Sequence, residues 1–67
     1  MNSIQFACEI KEKKIKNGTK FEVYRKREKI GTVGVIDSMV VYLDMKDIPQ
    51  DLLIGDYIFK RIESADE

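Results

Sequence analysis

The sequence contains no histidine, no tryptophan and only one cysteine among its 67 residues. Without histidine, the chain lacks the side chain that most often serves as a general base or a metal ligand. Cys8 cannot form a disulfide within the chain, and no histidine is present to activate its thiol. We therefore expect no enzyme active site, no metal and no cofactor, with Cys8 as a small buried side chain in the reducing cytoplasm.

A leader-like or membrane-spanning segment is also absent from the start of the sequence. Residues 1–10 have neither the cationic stretch nor the continuous apolar run of a signal peptide or membrane span. A chain of 67 residues with 43% hydrophobic and 36% charged residues has enough apolar material for one core only. We expect a single domain over residues 1–62, a frayed acidic tail over residues 63–67, and no membrane contact.

What the sequence does contain is a series of short strand patterns. In residues 4–10 the apolar side chains occupy every second position, which places them on one face of a strand. Runs rich in β-branched and aromatic residues follow at 21–24, 30–36 and 39–45, and a short aromatic run covers 57–59. The run at 39–45 is apolar on both faces, which is typical of a strand that is central or covered on its outer side. These patterns predict five strands.

Turn-forming residues separate these runs. Asn17 and Gly18 tolerate the positive φ of a tight reversal, and Asp37 with Ser38 forms a second turn signal. Between them, residues 25–29 are all charged and contain no glycine or proline, so they are expected to form a five-residue loop.

Two glycines and a proline favour a curved sheet. Gly31 and Gly34 interrupt the third run, which indicates a bulge, a bend or a close approach of two backbones. Pro49 lies in a connection that can hold one short helical or 3₁₀ turn around residues 50–53, before the last strand. The expected fold is therefore all-β, a small five-stranded barrel.

Part of the chain resembles a known family of barrels. The likeness rests on the turn and strand segments Asn17-Gly18, Phe21-Glu22-Val23-Tyr24-Arg25, Ile30-Gly31-Thr32-Val33, Asp47-Ile48 and Gly55-Asp56-Tyr57-Ile58. Residues 15–59 thus resemble the translation-factor type of β-barrel, found as the second domain of elongation-factor GTPases and the C-terminal domain of bacterial initiation factor two. The resemblance implies a barrel fold and a link to RNA. It does not imply GTP hydrolysis, because no GTPase domain is present.

Charge is distributed unevenly along the chain. Residues 1–36 hold nine Lys and Arg against four Asp and Glu, whereas residues 37–67 hold three against eight, so the net charge is zero. The basic half is concentrated around the first two turns. The candidate partner-binding residues are Lys14, Lys16, Lys20, Tyr24, Arg25, Lys26, Arg27 and Lys29.

Three interpretations of this basic half remain open. The preferred one is a small non-catalytic binding or regulatory module whose basic loops contact an acidic protein, and the oppositely charged halves leave a homo-oligomer open. The alternative is an RNA or single-stranded nucleic-acid binding barrel, with phosphates along the basic loops and bases stacked on aromatic rings. In the third, the charges only form a solvated rim. The zero net charge argues against nucleic-acid binding, because proteins that bind phosphate backbones usually carry a clear positive excess.

Overall fold

A computed structural model describes residues 1–63 of the chain, with Glu63 described by its backbone. The helix and strands are α1 (Ser3–Lys11), β1 (Thr19–Arg25), β2 (Glu28–Ile36), β3 (Met39–Met45) and β4 (Ile58–Glu63). The strands form one open antiparallel sheet in the order β3-β2-β1-β4. The fold is thus mostly β, as predicted, but a closed five-stranded barrel is not shown. Of the predicted frayed tail, residues 64–67 lie outside the described part.

The first predicted strand is a helix. Asn2 has an extended backbone and caps α1, because its Oδ1 accepts a hydrogen bond of 2.8 Å from the Gln5 amide. This satisfies one of the amide groups that have no partner inside a helix at its first turn. An Asn followed three residues later by Gln is close to the capping-box pattern.

The buried face of α1 explains why the strand interpretation was wrong. Ser3, Phe6 and Ile10 are buried, at spacings of three and four residues, which is the helical repeat. Strand alternation instead predicts that Ile4 and Cys8 join Phe6 and Ile10 on one face, and both are exposed. The prediction that Cys8 is buried is therefore also wrong.

The sheet buries one face against α1. The predicted strand runs at 21–24, 30–36 and 39–45 are confirmed as β1, β2 and β3. The Phe6 ring stacks on the Phe59 ring at 3.9 Å between centroids and meets the edge of the Phe21 ring at 5.0 Å. All three phenylalanines are buried core residues. The rest of the buried apolar core is Ile10, Ile15, Val23, Val33, Val35, Leu52 and Tyr57.

The start of the chain lies beside the start of β4. The Met1 ammonium group donates to the Phe59 carbonyl at 3.0 Å, and the Phe59 amide donates to the Met1 carbonyl at 2.6 Å. An antiparallel bridge joins Asn2 to Ile58. The first two residues therefore cover this end of the β4 edge.

Two-residue turns join the first three strands. Asp37 and Ser38 have φ values of 51° and 62°, and the predicted turn there is confirmed. The predicted loop at residues 25–29 is shorter than expected, because only Lys26 and Arg27 lie outside the strands, with φ values of 53° and 67°. Positive φ at both turn residues matches the right-handed twist of the paired strands.

β3 is an edge strand, although its sequence predicts a central or covered one. Within the described residues 1–63, its only neighbour in the sheet is β2. Met39, Val41 and Leu43 are exposed on the face away from α1, and Val40 packs partly against the core. Because of this placement, the apolar run contributes little to the core.

The connection at residues 46–57 contains bends and a single turn, and the helical or 3₁₀ turn predicted around residues 50–53 does not form in this segment. The Asp51 carboxylate accepts a hydrogen bond from the Leu53 amide at 3.0 Å, which closes a local turn instead. Leu52 is thereby directed into the core, where it is buried.

Gly31 marks a close approach of two backbones, one of the roles predicted for it. A Cβ at this position would collide with the Asp44 carbonyl oxygen and lie 2.7 Å from the Met45 Cα. At Gly34, by contrast, an added Cβ would make an ordinary 3.4 Å contact with the Leu43 side chain. Gly18, at φ 89°, provides the reversal predicted before β1.

The helix can be tested against the strand prediction by two alanine substitutions. We expect Phe6→Ala to lower the free energy of unfolding by about 3–5 kcal/mol, because the ring is fully buried. Ile4→Ala should change it by less than about 0.5 kcal/mol, because Ile4 is 73% exposed. Urea denaturation followed by circular dichroism measures both. Equal losses would contradict the helix.

The close approach at Gly31 can be tested with Gly34 as its matched control. Gly31→Ala should lower the free energy of unfolding by about 1–3 kcal/mol, because the strands must separate to admit the methyl group. Gly34→Ala should be tolerated. Thermal melting of both variants measures the difference, and a well-tolerated Gly31→Ala would show that β2 and β3 are not this close.

Candidate functional site

The candidate basic residues lie at the two ends of β1. Lys14 and Lys16 belong to the connection between α1 and β1, next to the start of the strand. Arg25, Lys26 and Arg27 lie at its far end. Seven strand residues span about 20 Å, so the structure does not gather the candidates into one patch. Whether either group binds a partner stays a prediction.

At the first end, the chain uses its basic connection partly for internal contacts. The Lys14 ammonium lies 3.0 Å from the Glu12 carboxylate, and this hydrogen-bonded ion pair raises the pKa of Lys14. The Lys16 carbonyl accepts hydrogen bonds from the backbone amide and the hydroxyl of Thr19, at 3.2 Å and 2.8 Å. Thr19 is buried, so these contacts fix where β1 begins.

Asn17 ties the same connection to the turn between β2 and β3. Its side-chain amide donates to the Asp37 carboxylate at 3.1 Å, and its carbonyl accepts from the Asp37 backbone amide at 2.8 Å. An acidic residue therefore stands beside the first basic segment. This lowers the net positive charge that the segment can present to a partner.

At the second end, two adjacent cations form the tip of the β1–β2 hairpin. Lys26 and Arg27 are exposed, and neither forms an ion pair with any residue in the described range 1–63. Arg25 precedes them, and its guanidinium lies 5.6 Å from the centre of the Tyr57 ring, within cation–π range. The tip thus presents three cationic side chains, of which one rests on a buried ring.

Tyr24 and Lys29 belong to a polar network on the exposed face of the sheet. The Tyr24 hydroxyl donates to the Glu22 carboxylate at 2.9 Å, and the Lys29 ammonium lies 3.1 Å from the same carboxylate. The hydrogen bond from Lys29, followed by the one from Tyr24, lowers the pKa of Glu22. The hydrogen bond to Glu22 raises the pKa of Tyr24. Both candidates are therefore engaged within the fold.

Lys20 lies on the same exposed face near the start of β1, opposite Gly34 of β2 and Glu63 of β4 in the sheet. It is exposed and has an interaction partner within the chain. Of the eight candidates, the turn residues Lys26 and Arg27 and their neighbour Arg25 are the group that the fold concentrates at one point.

A shallow cleft of about 260 Å³ lies behind this tip. Its lining residues are Arg25, Glu28, Ile30, Lys46, Asp47, Pro49 and Tyr57. Glu28 and Lys46 lie 3.6 Å apart across it, and both side chains are about 70% exposed. Such an exposed pair is well solvated and has little electrostatic effect on a neighbouring group.

Sequence reasoning missed a second surface, the exposed apolar face of β3. Ile36, Met39, Val41 and Leu43 lie together at the β2–β3 end of the sheet, on the face opposite α1, and all four are exposed. The signal was visible in the sequence as a run apolar on both faces. Such a run predicts a covered strand, because the position of a strand in a sheet is not encoded in its own residues.

Within residues 1–63, no three acidic or cysteine side chains come together as metal ligands would. The same part of the chain includes no helix that has the length and apolar character to cross a membrane.

The chain matches no known protein-family model, no curated protein sequence and no solved structure. The resemblance to the translation-factor barrel therefore stays a prediction. It rests on the residues named for it in the sequence.

The network around Glu22 predicts the titration of Tyr24. We expect the Tyr24 phenol to have a raised pKa and to lose its proton at a higher pH than an ordinary tyrosine, because ionisation would break the hydrogen bond that it donates to Glu22 and would place two anions side by side. The contribution of this pair to folding is present below the ordinary tyrosine pKa and is lost as pH rises through the raised value. NMR of the Tyr24 ring against pH measures the shift. Glu22→Ala should reduce it, and an unchanged titration in that variant would contradict the network.

Proposed function

We propose that this chain is a small, non-catalytic binding module that contacts an acidic surface of another protein through the tip of its β1–β2 hairpin. The contact residues are Arg25, Lys26 and Arg27. The cellular setting in this proposal is the cytoplasm, where the unpaired thiol of Cys8 stays reduced.

The observation that supports the proposal is the conformation of the turn. Lys26 and Arg27 both have positive φ, a region that costs roughly 1 kcal/mol for a residue with a side chain of this kind. Asn and Gly adopt it with little strain and are the preferred residues of such turns. In the corresponding β2–β3 turn, Asp37 tolerates the same region. Two long cationic side chains occupy this turn although its backbone conformation is unfavourable for them, which is consistent with selection for their charge.

The surroundings of the turn also favour recognition by charge. The two strands and the two-residue connection hold the tip in one backbone conformation, so little freedom is lost when it binds. Arg25 is oriented by the Tyr57 ring beneath it. Because the tip cations form no ion pair within residues 1–63, a partner carboxylate does not have to displace an internal one.

A single-stranded RNA would also be attracted by these cations, and the resemblance to translation-factor barrels motivates this alternative. The neighbouring aromatic residue is less suitable for it. The Tyr24 hydroxyl donates a hydrogen bond to Glu22, so an anionic carboxylate lies beside the only tyrosine of β1. That carboxylate would repel a phosphate backbone following the same face. An acidic protein surface that touches only the tip avoids it.

The proposal is tested by reversing the charge at the tip. A fluorescent glutamate-rich peptide serves as the protein-like probe, and a fluorescent oligouridine of matched charge serves as the RNA probe. We expect Lys26→Glu combined with Arg27→Glu to weaken peptide binding at low salt about tenfold or more, measured by fluorescence anisotropy. The melting temperature should stay within a few degrees, because both side chains are exposed.

The matched control is Lys13→Glu combined with Lys14→Glu. These are again two adjacent exposed cations, one of which also has positive φ, at the other end of β1. The control should retain peptide binding. If both double variants lose affinity equally, the tip is not the contact site. Tighter binding of oligouridine than of the peptide would replace this proposal with the nucleic-acid alternative.

A further inference from the structure

The two edges of the sheet are protected differently. The edge of β4 is covered by Met1 and Asn2 at one end and carries Lys60 and Arg61 beyond them. Charged side chains and covering segments are the usual means of preventing edge-to-edge pairing. β3 has one charged residue in seven, Asp44, and no covering segment among residues 1–63. The pairing with β2 is irregular beyond Tyr42, so the regular part of this edge covers residues 39–42. This part is available for a further strand.

β3 also exposes apolar groups on both faces. On the face away from α1, Met39, Val41 and Leu43 are 67%, 37% and 49% exposed. On the other face, Val40 and Tyr42 line an open groove of about 290 Å³ together with Ile10, Leu52 and Leu53. A strand added to this edge would cover apolar surface on both sides of the sheet, which favours association.

We propose that β3 pairs antiparallel with β3 of a second copy of this chain, with the two-fold axis at Val41. The two sheets then form one continuous sheet of eight strands. This interface is separate from the hairpin tip, so it does not depend on the proposed contact with an acidic partner.

The hydrogen-bonding pattern of the β2–β3 hairpin selects this register. Met39 lies opposite Ile36, directly after the two-residue turn. The amide and carbonyl groups of these two residues therefore point toward each other, as in a hydrogen-bonded pair. The amide and carbonyl groups of the following alternate residues, Val40 and Tyr42, then point away from β2. In the proposed register, Val40 of each copy pairs with Tyr42 of the other, so these outward groups satisfy one another.

Side chains match in the same register. On the outer face Val41 meets its own copy and Met39 meets Leu43, whereas on the inner face Val40 meets Tyr42. β-branched and aromatic pairs of this kind are among the favourable cross-strand contacts. The apolar patches of the two copies become continuous across the axis.

Charges do not oppose this register. Asp44 of each copy faces the uncharged Ser38 of the other. No like charges face each other along the pairing. A shift that moves the axis to Tyr42 would place Asp44 against the apolar Val40 and Asp47 against Asp37. Both of these contacts are unfavourable. The register with the axis at Val41 is therefore favoured over the register with the axis at Tyr42.

The resulting assembly is closed. Pairing two β3 strands leaves a β4 strand at each end of the eight-stranded sheet, and each β4 is covered by Met1 and Asn2 and carries two cations. A two-fold interface that uses the same patch on both copies yields a dimer and not a filament.

Sedimentation velocity over a range of concentrations tests the interface. We expect the wild-type chain, of 7.8 kDa, to shift toward twice that mass as concentration rises. Val41→Lys places two ammonium groups at the axis and should weaken dimerisation at least a hundredfold. The matched control, Ile62→Lys, introduces the same charge at an exposed position of β4 and should remain dimeric. A wild-type chain that stays monomeric at millimolar concentration, or a dimeric Val41→Lys variant, overturns the proposal.

Disulfide crosslinking tests the register. In a Cys8→Ser background, Val41→Cys places two thiols at a non-hydrogen-bonded pair, where the Cα atoms are about 4.5 Å apart and a disulfide can form. Leu43→Cys on the same face should not crosslink, because its copy lies about 13 Å away along the strands. Rapid oxidation of the Val41→Cys variant alone to a covalent dimer is the expected result. Equal crosslinking of both variants overturns the register.

Discussion

The contact of the Phe6 ring with Phe59 and Phe21 holds the helix and the sheet together. Phe59 belongs to β4 and Phe21 to β1. Of the paired strands, these two have the largest separation in sequence, and one side chain of α1 contacts both of them. This stack places α1 against β4, where the start of the chain and Phe59 exchange two hydrogen bonds. The protection of one sheet edge therefore depends on the same ring. Among residues 1–63, no segment covers the other edge, which is that of β3.

Strands and turns could be predicted where the local pattern has only one interpretation. Residues 39–45 and the turn at Asp37 and Ser38 are examples, because β-branched residues and turn formers agree there. Residues 4–10 were misinterpreted because Phe6 and Ile10 satisfy both a period of two and a spacing of four. Asn2 and Gln5 carried the deciding signal, a helix cap. The barrel was expected from five strands, and with the first of them helical the remaining four form an open sheet.

The candidate site was predictable in kind but not in arrangement. Composition identified the basic residues, whereas their separation to opposite ends of β1 depends on strand pairing. The hairpin tip was predicted as a longer loop because neither Lys26 nor Arg27 favours positive φ, so no residue signalled a tight turn. The apolar character of β3 was visible, but its place at the edge follows from the order β3-β2-β1-β4, which arises from long-range contacts. Surfaces of this kind are defined by topology.

The order of the elements also has a consequence for synthesis of the chain on the ribosome. β1, β2 and β3 follow one another through two-residue turns and can pair as soon as they emerge. The helix is made before these strands, yet Phe59, on which its Phe6 ring stacks, is made last of the core phenylalanines. During translation the nascent chain therefore carries an exposed phenylalanine until β4 has left the exit tunnel. Newly made chains pass through an interval in which a hydrophobic helix face is open to chaperones, even though the finished fold covers it completely.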